Sequence, residues 1–174
     1  MKYTDIIKTK LGQFPIGAWV PYYDNNLNQE YFAEMKECGI NFIPTNDCKK
    51  EKLDLISSAG IKLMVNDDRV TYANVTGIAK VKDYLSEYAN REDVLAIFVW
   101  DEPSPTMMDI CGVINKQINK NYDNVFGYIN LHPNYSDSVT QRDGLSYSDY
   151  LQYFVDTCKP KVISYDNYFV NRIS

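Results

Sequence analysis

Three features of the chain predict an α/β fold of barrel type: six short apolar runs alternate with segments of helical periodicity, glycine follows two of the helices, and the first strand leads into no glycine-rich phosphate loop. The runs are rich in β-branched and aromatic residues, the composition of strands buried on both faces. A leading helix is expected over residues 3–10, before a first strand at 14–20. Leu27, Tyr31, Phe32, Met35 and Cys38 then share one helical face. A second strand follows at 41–45, a helix at 50–58 and a third strand at 61–65. Gly39 and Gly60 stand just past the two helices, where a residue with positive φ turns the chain into the next strand. A helix at 75–89 precedes the fourth strand, 94–100, and Pro103 and Pro105 flank the start of the next helix, 106–119. After the fifth strand, 125–131, Tyr147, Tyr150, Leu151, Phe154, Val155 and Cys158 mark one face of a last helix before the sixth strand, 161–165.

Strict alternation of strand and helix implies a mainly parallel sheet with right-handed crossovers, either an open doubly wound sheet or a barrel. The first strand runs into Val20-Pro21-Tyr22-Tyr23-Asp24, without the glycines that cradle phosphate in a nucleotide-binding doubly wound fold. A (β/α)8 TIM-barrel type is therefore expected, with six βα units present where a closed barrel of about 250 residues has eight. Residues 1–174 contain no linker or low-complexity segment and read as one barrel domain, truncated after strand six. Two unpaired sheet edges would then favour self-association.

The composition, 45% hydrophobic and 24% charged, is that of a soluble globular domain. A net charge of -5 and a pI near 4.9 exclude nucleic acid and anionic membrane as main partners, because both demand a basic patch. Cys38, Cys48, Cys111 and Cys158 show no C-x-x-C spacing and read as reduced, mostly buried thiols, so neither a metal site nor a cofactor is expected. The N-terminus has no signal-peptide pattern, which leaves a cytoplasmic protein or a secreted one whose signal is absent from this chain.

Barrels bind ligands at the C-terminal ends of their strands. The candidates there are Trp19 and Tyr22 after the first strand, Asn66 after the third, Trp100, Asp101 and Glu102 after the fourth, Asn130, His132 and Tyr135 after the fifth, and Asp166 and Tyr168 after the sixth. Amides and carboxylates bind hydroxyl groups, and aromatic faces stack on the C–H face of a sugar ring, so this mixture suits a neutral carbohydrate ligand. The sharpest feature is Val99-Trp100-Asp101-Glu102-Pro103-Ser104, an apolar strand running straight into two carboxylates and a proline. A carboxyl in a partly apolar strand end holds its proton to higher pH, as a general acid for a glycosidic oxygen must. The competing reading is a solvated turn in which Asp101 or Ser104 caps the next helix. Asp67 and Asp68 lack the spacing of a calcium loop and read as a solvated turn.

The Asp-Glu-Pro-Ser segment, with Asn130-Leu131-His132-Pro133-Asn134-Tyr135 and Ser164-Tyr165-Asp166-Asn167-Tyr168, resembles a bacterial family of glycoside-hydrolase-like (β/α)8 barrels. Gly17-Ala18-Trp19-Val20 and residues 60–67 extend the resemblance along nearly the whole chain. It implies a glycoside hydrolase similar to retaining glycosidase barrels, whose acid/base glutamate ends strand four, usually as Asn-Glu, and whose nucleophile ends strand seven. Only Glu102 carries over, since Asp101 replaces the Asn and strand seven is absent. An adjacent Asp-Glu pair is also similar to barrel hexosaminidases, in which the substrate's acetamido group attacks, Asp101 would orient that amide, and Glu102 would protonate the leaving group. Against this stands strand geometry, because neighbouring residues of an extended chain face opposite ways. The remaining alternative is a non-catalytic carbohydrate-binding or inactive barrel fragment.

Overall fold

The computed structural model describes residues 3–19, 27–71 and 75–168. Its elements are α1 (Tyr3–Leu11), α2 (Gln29–Glu37), β1 (Phe42–Thr45), α3 (Lys50–Ser58), β2 (Lys62–Asn66), α4 (Val75–Ile78), α5 (Val81–Ser86), β3 (Val94–Asp101), α6 (Pro105–Asn121), β4 (Phe126–Leu131), α7 (Tyr147–Cys158) and β5 (Ser164–Tyr165). All strand pairs are parallel and the order is β1-β2-β3-β4-β5. A doubly wound sheet reverses its order at a switch point. Here the order never reverses, and the sheet is a curled parallel half-barrel, consistent with part of a TIM-type barrel.

Each strand face has its own core. Ile43, Leu63, Val65, Ile97, Val99, Ile129 and Leu131 face the helices, packing with Leu53, Ile114, Ile118 and Phe154. Met64, Ala96, Phe98 and Phe126 face inward. Helix α1 closes the N-terminal end of this inner face, with Ile6 buried on it and Lys10 Nζ donating to the backbone carbonyls of Arg91 and Val94. Helices α6 and α7 approach closely because position 112 is glycine: a Cβ there would lie 2.6 Å from the Thr157 carbonyl oxygen.

The expected elements correspond to these with three differences, the briefest being the last strand, expected at 161–165 and confined to Ser164–Tyr165. The first strand, 14–20, is reduced among the described residues to one parallel bridge, Gly17 to Phe42, and its last residue lies outside them. Pro15 offers no N–H to a ladder. The buried Asn41 side chain takes the ladder's place, accepting from Ile16 N at 2.9 Å and donating to Phe14 O at 2.7 Å. The helix expected at 75–89 is two shorter ones, α4 and α5, in keeping with the weak helix formers Val75, Thr76 and Gly77. Gly39 and Gly60 do adopt positive φ, 87° and 74°.

Two further expectations are corrected. Asp67 is no solvated turn residue: it is buried, and Arg69 binds it at 2.8 Å while also reaching Glu87 at 2.8 Å. Of the cysteines, all free, Cys111 and Cys158 are buried in the α6–α7 contact, but Cys38 is exposed.

Candidate active site

The candidate site lies at the C-terminal ends of β3, β4 and β5, and a register irregularity creates it. Phe98 pairs with Tyr128 and Trp100 with Ile129, so Val99 is an extra residue in β3. Simple alternation from the inward Phe98 would turn Trp100 inward and Asp101 outward. The bulge exchanges them. Trp100 packs on the helix-side core, and Asp101 pairs with Asn130 on the inner face.

Glu102 then departs from alternation altogether. Its φ is 48°, in the left-handed region, and its N–H donates to Asn130 O at 2.8 Å. Such a backbone costs a non-glycine residue on the order of 1–3 kcal/mol and persists only where neighbours enforce it. The turn brings Glu102 and Asp101 to the same mouth of the sheet instead of opposite faces. Glu102 is hydrogen-bonded to Asp166, and His132 Nδ1 lies 3.4 Å from its Oε2. The carboxyl is pushed up to about 7, first by burial, then by the bond to Asp166 and the charges of Asp166 and Asp101.

Asn130 organises the carboxylates. Its amide nitrogen donates to Asp101 Oδ1 at 3.1 Å and to Asp166 Oδ1 at 2.8 Å, while its oxygen accepts from Ser164 Oγ at 2.9 Å. Since the Ser164 proton is engaged there, the Tyr128 hydroxyl, 2.7 Å away, is the donor to Ser164. The Tyr168 hydroxyl donates to Asp166 Oδ2 at 3.0 Å, and Tyr168 N donates to the Tyr135 hydroxyl at 2.7 Å. Trp19, Asp101, Tyr128, Asn130, Ser164, Tyr165, Asp166 and Tyr168 line a cleft of about 460 Å³. Trp19 is half exposed and meets Phe98 edge-on at 5.8 Å, leaving it available to a ligand.

Two stacked tyrosines from the first turn of α7 clasp the loops around Glu102 and His132. The fully buried Tyr150 hydroxyl donates to Pro103 O at 2.9 Å and accepts from His132 N at 3.3 Å, and the Tyr147 hydroxyl donates to His132 O at 3.1 Å. Asp143, not Ser104, caps α6, accepting from Thr106 N at 3.1 Å.

Of the residues expected from the sequence, Trp19, Asp101, Asn130, Asp166 and Tyr168 line the cleft, Glu102 and Tyr135 touch its walls, and His132 stands behind Glu102. Asn66, on β2, instead binds Asn46 and Thr71. Tyr22 lies outside the described residues. Sequence reasoning missed Tyr128 as a wall residue, although it stands two residues before Asn130 and so on the same strand face. It also missed Tyr147 and Tyr150 as clasps, because their helical spacing marked them only as core. No group of three or more His, Cys, Asp or Glu able to hold a metal ion occurs among the described residues.

No protein-family model and no curated protein matches the chain. Among solved structures it is similar to a plant β-glucan endohydrolase, with a TM-score of 0.58 at 10% identity. The match covers 89% of this chain and 56% of that one. The likeness is one of fold. The parallel half-barrel architecture is thereby shared, and this chain spans little more than half of that relative's length.

Proposed function

We propose that the chain carries the acid side of a glycoside hydrolase site acting on a neutral oligo- or polysaccharide, with Glu102 as general acid/base. The observation that carries this reading is the convergence of Glu102, Asp101, Asp166 and His132 at the C-terminal mouth of a parallel half-barrel. A carboxyl held protonated to about pH 7 can donate to a glycosidic oxygen in neutral solution, and once ionised can take a proton from attacking water. The exposed ring of Trp19 and those of Tyr165 and Tyr168 would supply stacking faces, while Asp101 and Asn130 would bind hydroxyls.

Asp166 supports the acid and does not fit the nucleophile. A retaining pair stands about 5–5.5 Å apart, whereas Asp166 is in hydrogen-bond contact with Glu102. Its negative charge holds the proton on Glu102. The positive φ of Glu102 favours a second reading, substrate-assisted cleavage. With Asp101 and Glu102 at one mouth, Asp101 could orient a substrate acetamido group whose oxygen attacks the anomeric carbon, while Glu102 gives its proton to the departing oxygen. The two readings separate by substrate: β-glucan fragments contain no acetamido group, and N-acetylhexosaminides do.

The test is reducing-end release from a panel of both substrate types by the purified chain and by Glu102→Gln. Turnover that falls at least about 100-fold in the variant, with an unchanged circular dichroism spectrum, is the expected result. Equal turnover in both proteins removes Glu102 from the chemistry. Saturable sugar binding without cleavage leaves a carbohydrate-binding barrel.

A further inference from the structure

We propose that Asn130 and Tyr168 are positioning residues that decide which carboxyl of the Glu102–Asp166 pair carries the acid hydrogen: they give their own hydrogens to Asp166 and leave Glu102 as the acid. Two carboxyls in hydrogen-bond contact share one hydrogen, and the one that receives further donors is the better anion. Asp166 receives two such donors, the Asn130 amide on Oδ1 at 2.8 Å and the Tyr168 hydroxyl on Oδ2 at 3.0 Å. Glu102 receives neither, so its O–H is the donor in the bond to Asp166.

The hydrogen inventory closes on this assignment. Asn130 has two amide hydrogens, and the second goes to Asp101 Oδ1 at 3.1 Å. Its oxygen accepts from Ser164 Oγ at 2.9 Å, and Ser164 in turn accepts from the Tyr128 hydroxyl at 2.7 Å. The chain of hydrogens thus runs one way, from Tyr128 through Ser164 and Asn130 to the carboxylates. It keeps the amide from turning round, which would set the Asn130 oxygen against Asp101 and Asp166. Tyr168 is tied down separately, its backbone N–H donating to the Tyr135 hydroxyl at 2.7 Å. Strand β4 and the chain beyond β5 therefore deliver donors to the same carboxylate.

The groups around the pair agree with this placement. Asp101 from β3, His132 beyond β4, Arg142 from the loop before α7, Tyr128 from β4, Tyr147 and Tyr150 from α7, and Tyr168 face it. Burial pushes His132 down, with Arg142 adding to this, so the imidazole is neutral where Glu102 titrates and does not compete for its hydrogen. Burial, Asp166 and Asp101 push Glu102 up. Glu102 thereby holds its hydrogen where a glycosidic oxygen would need it. That use rests on the hydrolase reading, whereas the placement of the hydrogen does not.

The test is ¹³C NMR of the full chain labelled at the side-chain carboxyl carbons of Asp and Glu, from about pH 4 to about pH 9, a range that brackets ordinary and raised carboxyl titration. Glu102→Gln and Asp166→Asn assign the two signals. In the wild type the step near pH 7 is expected on the Glu102 carbon, with little change at Asp166. Tyr168→Phe keeps an exposed ring and removes one donor, and Asn130→Leu removes the buried amide. In each variant part of the step is expected to pass from the Glu102 carbon to that of Asp166, a transfer that a merely structural role would not produce. Should Asn130→Leu not fold, Tyr168→Phe decides alone. A wild-type step on the Asp166 carbon overturns the proposal, as does the same division of the step in the wild type and Tyr168→Phe. The expected division in a chain that cleaves no glycoside supports the placement of the hydrogen and removes the hydrolase reading.

Discussion

At Glu102 one backbone angle settles what a linear motif could not. Two adjacent carboxylates on a strand belong to opposite faces, but a φ of 48° brings both to one mouth. The raised carboxyl has a stability consequence whose sign is definite. Its folded pKa, about 7, exceeds the ordinary 4.5, so the folded state binds this proton more tightly than the unfolded one. The resulting contribution is complete below about pH 4.5 and is lost as pH rises through about 7. Glu102→Gln carries no such proton. Thermal melts of the two proteins are expected to diverge across that interval, the wild type falling relative to the variant, and parallel curves would show that Glu102 titrates normally.

Among the elements, β3 and α7 do most to shape the site. The extra Val99 sends Trp100 to the helix side and Asp101 inward, while α7 contributes no wall to the carboxylate cleft but ties two loops together through Tyr147 and Tyr150. Tyr150→Phe keeps the packing of the ring and leaves Pro103 O and His132 N without that partner. Losing a hydroxyl from a buried position costs about 1–3 kcal/mol. Urea denaturation should show a loss of that size with an unchanged slope. If Glu102 depends on this clasp, kcat is expected to fall more than KM rises, because loosening the loop misplaces a proton donor without removing a sugar contact. A variant as stable as the wild type would show that water replaces the hydroxyl.

For the whole molecule, the sequential strand order curls the sheet but does not close it. Strand β5 is two residues long, and Ile163, Tyr165 and Tyr168 are exposed beside it, as are Phe14, Ile16 and Trp19 along the opposite edge. Exposed apolar edges of this kind favour pairing with other chains. Sedimentation of the 174-residue chain by itself is expected to show concentration-dependent association, reduced in Ile163→Lys, and a monomer at all concentrations would refute this. The sequence alone determined the alternation of strands and helices, the glycine turns at 39 and 60 and the polar strand ends, because periodicity and turn chemistry are local properties. The tertiary structure decided which of those polar residues meet. The Val99 bulge, the left-handed Glu102, the Asn41 clamp in place of a first strand and the tyrosine clasp from α7 each depend on partners distant in the chain, whose contacts leave no pattern in neighbouring residues.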